Sequence, residues 1–320
     1  MQFGLVGSEM CIRDSSGTGL RLMLGLISGL GINANMTGDL SLSKRPMNRV
    51  ITPLKEMGAN ISSNNGKLPI KISAGKIVEN YDYQMPIASA QVKSCLILAA
   101  LASRTNIKIH EPKVTRDHTE RIIEYFDGKI NYGQESREIN FSFQELKPTS
   151  SYNIVGDISS ASFVIVAAVI SQKSEVLIKN VGLNNTRSGL IKVLSLMGAH
   201  IKVQNRRVEC NEKVGDIFVK SSTLKGINIP EEIIPNIIDE IPILSIAASF
   251  ALGTTNITNA SELRFKESDR LNAISEGLTK IGAEHKLFED GISIYGSLDK
   301  ICSSIKINSY GDHRIAMSFL

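Results

Sequence analysis

The sequence predicts an α/β protein of two domains, each assembled from repeated α/β subdomains. Three observations predict it. The chain has 320 residues, long for one domain and comfortable for two. Four segments, "LKEMGANI", "YFDGKI", "LSLMGAHI" and "LTKIGAEH", carry Gly58, Gly128, Gly198 and Gly282, spaced 70, 70 and 84 residues apart. Each glycine follows a helical apolar pattern and precedes a short apolar segment, which reads as a helix C-terminus followed by a strand. A second helix type, small and apolar almost all round, recurs at a similar period, and such helices belong in a core. Agreement of two markers at one period argues for a repeated unit.

Taken in order, the first fifteen residues, "MQFGLVGSEMCIRDS", read as a foreign leader outside the fold, lacking the pattern of a signal peptide. The first buried helix is "SGTGLRLMLGLISGL", from Ser16. "GDLSLSKRPMNRV" then sets Lys44, Arg45 and Arg49 beside an amphipathic helix, with Pro46 expected in its first turn. The later buried helices are "ASAQVKSCLILAALAS" from Ala88, "ISSASFVIVAAVIS" from Ile158, "DEIPILSIAASFALG" from Asp239 and "DHRIAMSFL" from Asp312. Strand-like pieces such as "TNIKIH" and "TTNITN" follow several of them. The polar stretch "QELKPTSS" ahead of "YNIVGD" marks a boundary, giving a first domain over 16–153 and a second over 154–320. The last helical pattern stops at Leu320 without a cap, so the chain is expected to be a piece, open at both ends.

Composition narrows the function. Lys and Arg number 36 against 32 Asp and Glu, a formal charge of +4 that suits small anionic ligands and argues little for nucleic acid. Aromatics are 5% with no Trp, which speaks against base-stacking platforms. Cys11, Cys95, Cys210 and Cys302 form no CxxC pair and read as reduced cytoplasmic thiols. Five histidines show no ligand spacing, so no protein-held metal is expected. The apolar run "FVIVAAVI" is too short to cross a bilayer.

The charged residues gather at the starts of the buried helices, where free N–H groups and the positive dipole end favour anions. "SGTGLR" reads either as a capped turn or as a close-approach loop with Arg21. "PIASAQVKS" reads as a cap with a polar rim (Ser89, Gln91, Lys93) or as part of a site. In "IIDEIPIL", Asp239 and Glu240 fit an acidic N-cap. In "KESDR", Glu267 and Arg270 are spaced i,i+3, as on a solvated helix face. "YGDHRIAM" adds Asp312, His313 and Arg314. Together these supply guanidinium forks that match carboxylate and phosphate, with carboxylates near them that could move protons. They suit a ligand bearing both phosphate and carboxylate.

The motifs "SLSKRPMNRV", "ASAQVKS", "TRDHTE", "GDISSASF", "IDEIPIL", "LRFKESDRL" and "DHRIAM" occur in this order in one family. From about Ser16 to Leu320 the chain resembles the 3-phosphoshikimate 1-carboxyvinyltransferase (EPSP synthase) family. The resemblance implies an inside-out α/β barrel of two domains, each of three βαβαββ subdomains, with substrates bound in the cleft. It implies transfer of the enolpyruvyl group of phosphoenolpyruvate to the 5-hydroxyl of shikimate 3-phosphate, in the shikimate pathway to aromatic amino acids. By resemblance, Ser89, Gln91, Arg116 and Lys266 would hold shikimate 3-phosphate, with Asp239 at the reacting hydroxyl. Gly17, Arg45, Arg270 and Arg314 would face phosphoenolpyruvate, with Gln91 bridging. Asp239 would be the base, Glu267 would protonate the methylene carbon, and Asp269 would support its neighbours. The resemblance further implies a cytoplasmic monomer that needs no metal or organic cofactor.

This sequence departs from the family pattern at both ends. A first segment with a substrate-binding Lys, Ser and Arg is absent, Ser15 stands where the family carries Asn, and a site Lys beyond Leu320 is missing. Little activity is therefore expected of these 320 residues alone. Gly17 leaves room in the phosphoenolpyruvate site for glyphosate, so the completed enzyme is expected to be sensitive to it. The rivals are the sister transferase acting on UDP-N-acetylglucosamine, which usually carries a reactive loop Cys, and a noncatalytic anion- or nucleic-acid-binding remnant. Cys95 lies in an apolar helix and argues against the sister enzyme.

Overall fold

Alternating buried helices and short strands fold locally into repeated units. The computed structural model describes residues 16–133, 137–149, 151–297 and 305–320. The leader expected over 1–15, with Ser15 and Cys11, lies outside the described residues, as does Cys302. The chain divides into two compact units, one ending at Tyr152 and the other beginning at Asn153.

In the first unit, α1 (Gly17–Leu30) is capped by Ser16, whose side chain accepts from the Gly19 N–H, and ends at Gly31 with φ 63°. There follow β1 (Ala34–Met36), α2 (Leu40–Lys44), α3 (Asn48–Glu56), β2 (Asn60–Asn64) and β3 (Lys67–Ser73). β3 lies between β1 and β2, antiparallel to both. The next stretch is a complete βαβαββ unit: β4 (Tyr81–Gln84), α4 (Ala90–Ser103), β5 (Ile107–His110), α5 (His118–Tyr125), β6 (Lys129–Tyr132) and β7 (Glu138–Ser142). β4 and β5 pair in parallel, which requires a crossover, and α4 supplies it. The sheet order is β4-β5-β7-β6. α1 and α4 pack directly on each other, and one core, including Leu24, Leu54, Ile70, Leu96, Ile109 and Phe141, serves both sheets.

The second unit repeats the plan. A parallel bridge of Gly156 to Val181 stands for the leading strand. It is followed by α6 (Ile158–Ile170), β8 (Glu175–Gly182), α7 (Gly189–Leu196), β9 (His200–Glu209) and β10 (Glu212–Lys220), in sheet order β8-β10-β9. Parallel bridges of Lys225 to Leu252 and Asn228 to Asn256 open the next copy. It contains α8 (Ile234–Ile237), α9 (Ile241–Ser249), β11 (Gly253–Ile257), α10 (Arg270–Ile281), β12 (Glu284–Leu287) and β13 (Ile292–Gly296), in order β11-β13-β12. α11 (His313–Phe319) packs on α9. A second continuous core, including Ile165, Leu190, Ile217, Leu244, Leu278 and Ile315, fills this unit.

Four local expectations need correction. Gly58, Gly198 and Gly282 take positive φ after their helices, but after α5 it is Asp127 that does so, at φ 60°. Gly128 is needed there for room, because a Cβ would collide with the Ile123 side chain and stand 2.8 Å from Leu146 Cδ2. Pro46 lies ahead of α3 rather than in its first turn: Met47 is the N-cap, and Arg45 closes α2 in an extended conformation, as the residue before proline prefers. Lys93 is buried rather than part of a polar rim. Glu240 sits at the N-cap of α9 with no side-chain capping bond, since its carboxylate and that of Asp239 are engaged elsewhere.

The tight contact of α1 with α4 rests on Gly25. A Cβ there would fall on the Cys95 carbonyl oxygen and 2.8 Å from its carbon. Gly25→Ala is expected to destabilise the first unit by about 2 kcal/mol, the overpacking cost exceeding the gain of roughly 1 kcal/mol in helix propensity. Denaturant unfolding measures it. Equal or greater stability would mean that the helices are not held at this spacing.

Candidate active site

Two charged clusters are built at the starts of buried helices, one in each unit. In the first unit, the cap at Ser16 leaves Gly17 on the opening turn of α1, where a side chain would meet cations. A Cβ on Gly17 would stand 3.1 Å from Arg45 Nη1 and 3.4 Å from Arg21 Nη1. Arg21 Nη1 donates to Gln91 Oε1 at 2.7 Å, and Gln91 Nε2 donates to Thr18 Oγ1 at 2.7 Å. Gln91 is thereby oriented from both ends, and two guanidiniums flank a backbone that offers no side chain. Ser89 caps α4, its hydroxyl accepting from the Val92 N–H at 3.4 Å. Arg116 is half-buried on the segment between β5 and α5.

The second cluster is organised by Arg270, the first residue of α10 and 1% exposed. Its Nε donates to Asp312 Oδ2 at 2.8 Å, its Nη2 to Glu267 Oε2 at 2.6 Å, and its Nη1 to Asp239 Oδ1 at 3.3 Å. One guanidinium therefore fixes three carboxylates. Asp312 is fully buried and also accepts from the Arg314 N–H at 2.9 Å and the Ser268 hydroxyl at 3.1 Å. Asp239 and Glu267 keep 16% and 26% of their side chains open, so they can meet a ligand. Lys266 lies 3.8 Å from Asp239 and 2.6 Å from Glu262. Arg314 Nη1 donates to the Asp239 carbonyl oxygen at 3.3 Å and lies 3.6 Å from Glu240 Oε1. The stretch 262–271 is thus a cluster wall in which Lys266, Glu267 and Arg270 converge. Asp269 instead caps α10 and binds Arg264 at 2.9 Å.

The electrostatics separates the carboxylates. Burial alone would raise the Asp312 carboxyl, but the hydrogen bond and charge of Arg270, helped by Arg314 N–H and Ser268, hold it below its ordinary value. Burial wins at Glu240 and pushes its carboxyl up, against the Ser159 hydroxyl and the Arg314 charge. Ser159 bridges Glu240 to Arg187, which also reaches Asp157 at 3.2 Å.

The structure brings Gly17, Arg45 and Gln91 together in one unit, and Asp239, Lys266, Glu267, Arg270 and Arg314 in the other. It adds residues that the sequence reading did not select. Arg21 was signalled by its place one turn after Gly17 in an otherwise apolar helix. Asp312 and Glu240 stood in quoted motifs, where Glu240 read as an acidic cap and Asp312 only as a charge ahead of a buried helix. Ser159 and Arg187 gave no usable signal, since their link spans 28 residues. Among the described residues no group of His, Cys, Asp and Glu is arranged to hold a metal, and no helix is long and apolar enough to cross a membrane.

Comparison with known proteins bears on the chemistry. The profile of the family described as EPSP synthase (3-phosphoshikimate 1-carboxyvinyltransferase) matches residues 10–320. The chain is 45% identical over 307 residues to the 3-phosphoshikimate 1-carboxyvinyltransferase of Clostridium tetani, covering 96% of this chain and 69% of that one. It is 48% identical over 313 residues to the enzyme of that name from Petrotoga mobilis, covering 97% and 72%. The solved structure of EPSP synthase from Acinetobacter baumannii superposes with a TM-score of 0.83 at 41% identity, over 95% of this chain and 70% of that one.

Asp312→Asn is expected to lower the unfolding free energy by about 3 kcal/mol at pH 7, because it strips a buried cation of its fully buried partner. The folded-state proton affinity of Asp312 is depressed. Its stabilisation is therefore fully present above the ordinary aspartate value of 3.8 and is lost as pH falls through the lower folded value. The deficit of the variant should accordingly narrow below about pH 4. Denaturant titrations at stepped pH check this, and a deficit that is constant with pH would refute it.

Proposed function

This chain belongs to the EPSP synthase family, and we propose that it transfers the carboxyvinyl group of phosphoenolpyruvate to the 5-hydroxyl of shikimate 3-phosphate and releases phosphate, a step of the shikimate pathway. The observation that carries the reading is the suspension of Asp239 and Glu267 from two nitrogens of one buried guanidinium, beside Lys266. The reaction needs a base and an acid held in fixed relation, in surroundings that favour anions.

In the addition step Asp239 takes the proton of the 5-hydroxyl, the oxygen bonds to C2 of phosphoenolpyruvate, and Glu267 delivers a proton to C3, which becomes a methyl group. The result is a tetrahedral adduct that still carries the phosphate. In the elimination step a proton leaves the methyl carbon for a carboxylate. The C–O bond to phosphate then breaks with its electron pair going to phosphate, and the C2–C3 double bond reforms. Cations fixed beforehand stabilise the departing charge without reorganising. Arg270 and Arg314 serve this in the second unit, where Lys266 also faces shikimate 3-phosphate. In the first unit Arg45, beside Gly17 and Gln91, takes the anion of phosphoenolpyruvate. Ser89, Gln91 and Arg116 take shikimate 3-phosphate.

Arg21 joins this assignment through its 2.7 Å bond to Gln91. Cys95 is fully buried and burial pushes its thiol up to about 12, which disfavours the sister chemistry with a reactive loop Cys. Cys95 and Cys210 are free thiols, which suits a cytoplasmic setting, and the reading includes a monomeric enzyme.

Phosphate release from phosphoenolpyruvate by the full-length protein tests the reading. It is expected with shikimate 3-phosphate and not with UDP-N-acetylglucosamine, and release with the second acceptor alone would overturn it. Asp239→Asn and Glu267→Gln should each lower kcat by about 10²–10⁴. Gly17→Ala puts a methyl 3.1 Å from Arg45 Nη1, so the KM for phosphoenolpyruvate should rise and inhibition by glyphosate should weaken. Unchanged values for both would remove Gly17 from the site.

A further inference from the structure

Outside the clusters above, the first unit buries a three-member ion network. Lys93 Nζ lies 2.6 Å from Glu120 Oε1 and 3.3 Å from Glu111 Oε2, and each of the three side chains is 2% exposed or less. Two carboxylates and one ammonium removed from water are a poor source of stability, because desolvation offsets most of their attraction and apolar residues would serve as well. What such a network does well is fix geometry, and its connections show which geometry.

Lys93 is on α4, one turn after Ser89, whose carbonyl accepts the Lys93 N–H at 3.1 Å, and two residues after Gln91. Glu111 begins the segment that leads from β5 to α5. Its carboxylate binds Lys93, accepts the Thr115 N–H at 3.3 Å and accepts the Thr115 hydroxyl as well. Thr115 is the immediate neighbour of Arg116. On the far side of Arg116, Glu120 returns to Lys93, and the Thr119 hydroxyl donates to Ser94 Oγ on α4 at 2.6 Å. The residues flanking Arg116 are therefore clamped on both sides to the helix whose first turn carries Ser89 and Gln91. Burial pushes the Glu120 carboxyl up, against the pull of Lys93.

We propose that the Lys93–Glu111–Glu120 network, acting through Thr115, is the positioning device for Arg116, holding its guanidinium in register with Ser89 and Gln91 so that the three meet shikimate 3-phosphate as a preformed set. The inference rests on the assignment of Arg116 to that substrate. Lys93, Glu111, Glu120 and Thr115 are positioning residues, not catalytic ones.

A double-mutant cycle on the whole protein tests it, with KM for each substrate, kcat and the unfolding midpoint as readouts. Thr115→Val removes the clamp next to Arg116 without stranding a buried ammonium, so it is the variant to use if Glu111→Gln fails to fold. Thr115→Val should raise the KM for shikimate 3-phosphate about tenfold, equivalent to roughly 1.4 kcal/mol, while kcat and the KM for phosphoenolpyruvate stay within about twofold. In the Arg116→Ala background the same substitution should add nothing, because no guanidinium remains to be positioned. Fully multiplicative effects, or an unchanged KM in Thr115→Val while Arg116→Ala is weakened, would overturn the inference. An unchanged KM in Arg116→Ala itself would remove the assignment of Arg116, and the inference with it, while phosphate release still judges the reaction separately.

Discussion

The burial of the Arg270 guanidinium is the constraint on which the second unit's chemistry depends. An uncompensated cation at 1% exposure would cost several kcal/mol, so carboxylates must surround it. Those that do come from three places in the chain: Glu267 just ahead of α10, Asp312 ahead of α11, and Asp239 ahead of α9. Neutralising one arginine thus fixes the relative placement of three helix starts. Asp312, the buried partner, is committed to the fold. Asp239 and Glu267, the open partners, are left with fixed positions and free edges. The division into one enclosed and two accessible carboxylates follows from burial, not from residue type.

The first unit solves a similar problem with different parts. Gly17, Arg21 and Gln91, in the cluster proposed to face ligands, lie on α1 and α4, and their register depends on how closely those helices approach. Gly25 permits close backbone-to-backbone approach to Cys95, and Gln91 then spans the two helix starts through Arg21 and Thr18. Lys93, one turn deeper, ties the same helix to the segment bearing Arg116. Packing of small residues and a buried ion network thereby act on the same few polar groups from opposite sides.

Much of this was legible in the sequence where the signal is local. Helix ends at Gly58, Gly198 and Gly282, buried helices at the same period, and a cap at Ser16 or Ser89 are all set by residues within one or two turns. The misreadings have local causes as well. Asp127 takes the left-handed position because a short polar side chain tolerates it, which moves the helix end one residue ahead of the expected glycine. What the sequence could not display is pairing over distance. Lys93 looked like rim because its partners lie at 111 and 120, and Asp239 and Glu240 looked like caps because their cations lie at 270 and 314. A charge in an apolar helix is ambiguous until the residue that neutralises it is known.

The repeat itself explains why polar groups collect where they do. Among the described residues α4, α6 and α9 each cross between two parallel-paired segments, so their first turns lie at the same end of their copies. α1, α4 and α6 use Ser16, Ser89 and Asp157 there as ordinary side-chain caps. α9 does not: Glu240 caps nothing and is held by Ser159 and Arg314, while its neighbour Asp239 turns to Arg270 and Lys266. A capped start leaves remaining N–H groups and a positive dipole end that favour an anion. An acidic start released from capping and matched to arginines instead offers a proton acceptor. A start that favours anions is therefore general to this architecture, and in the proposed reaction proton transfer falls to the copy that breaks its capping rule.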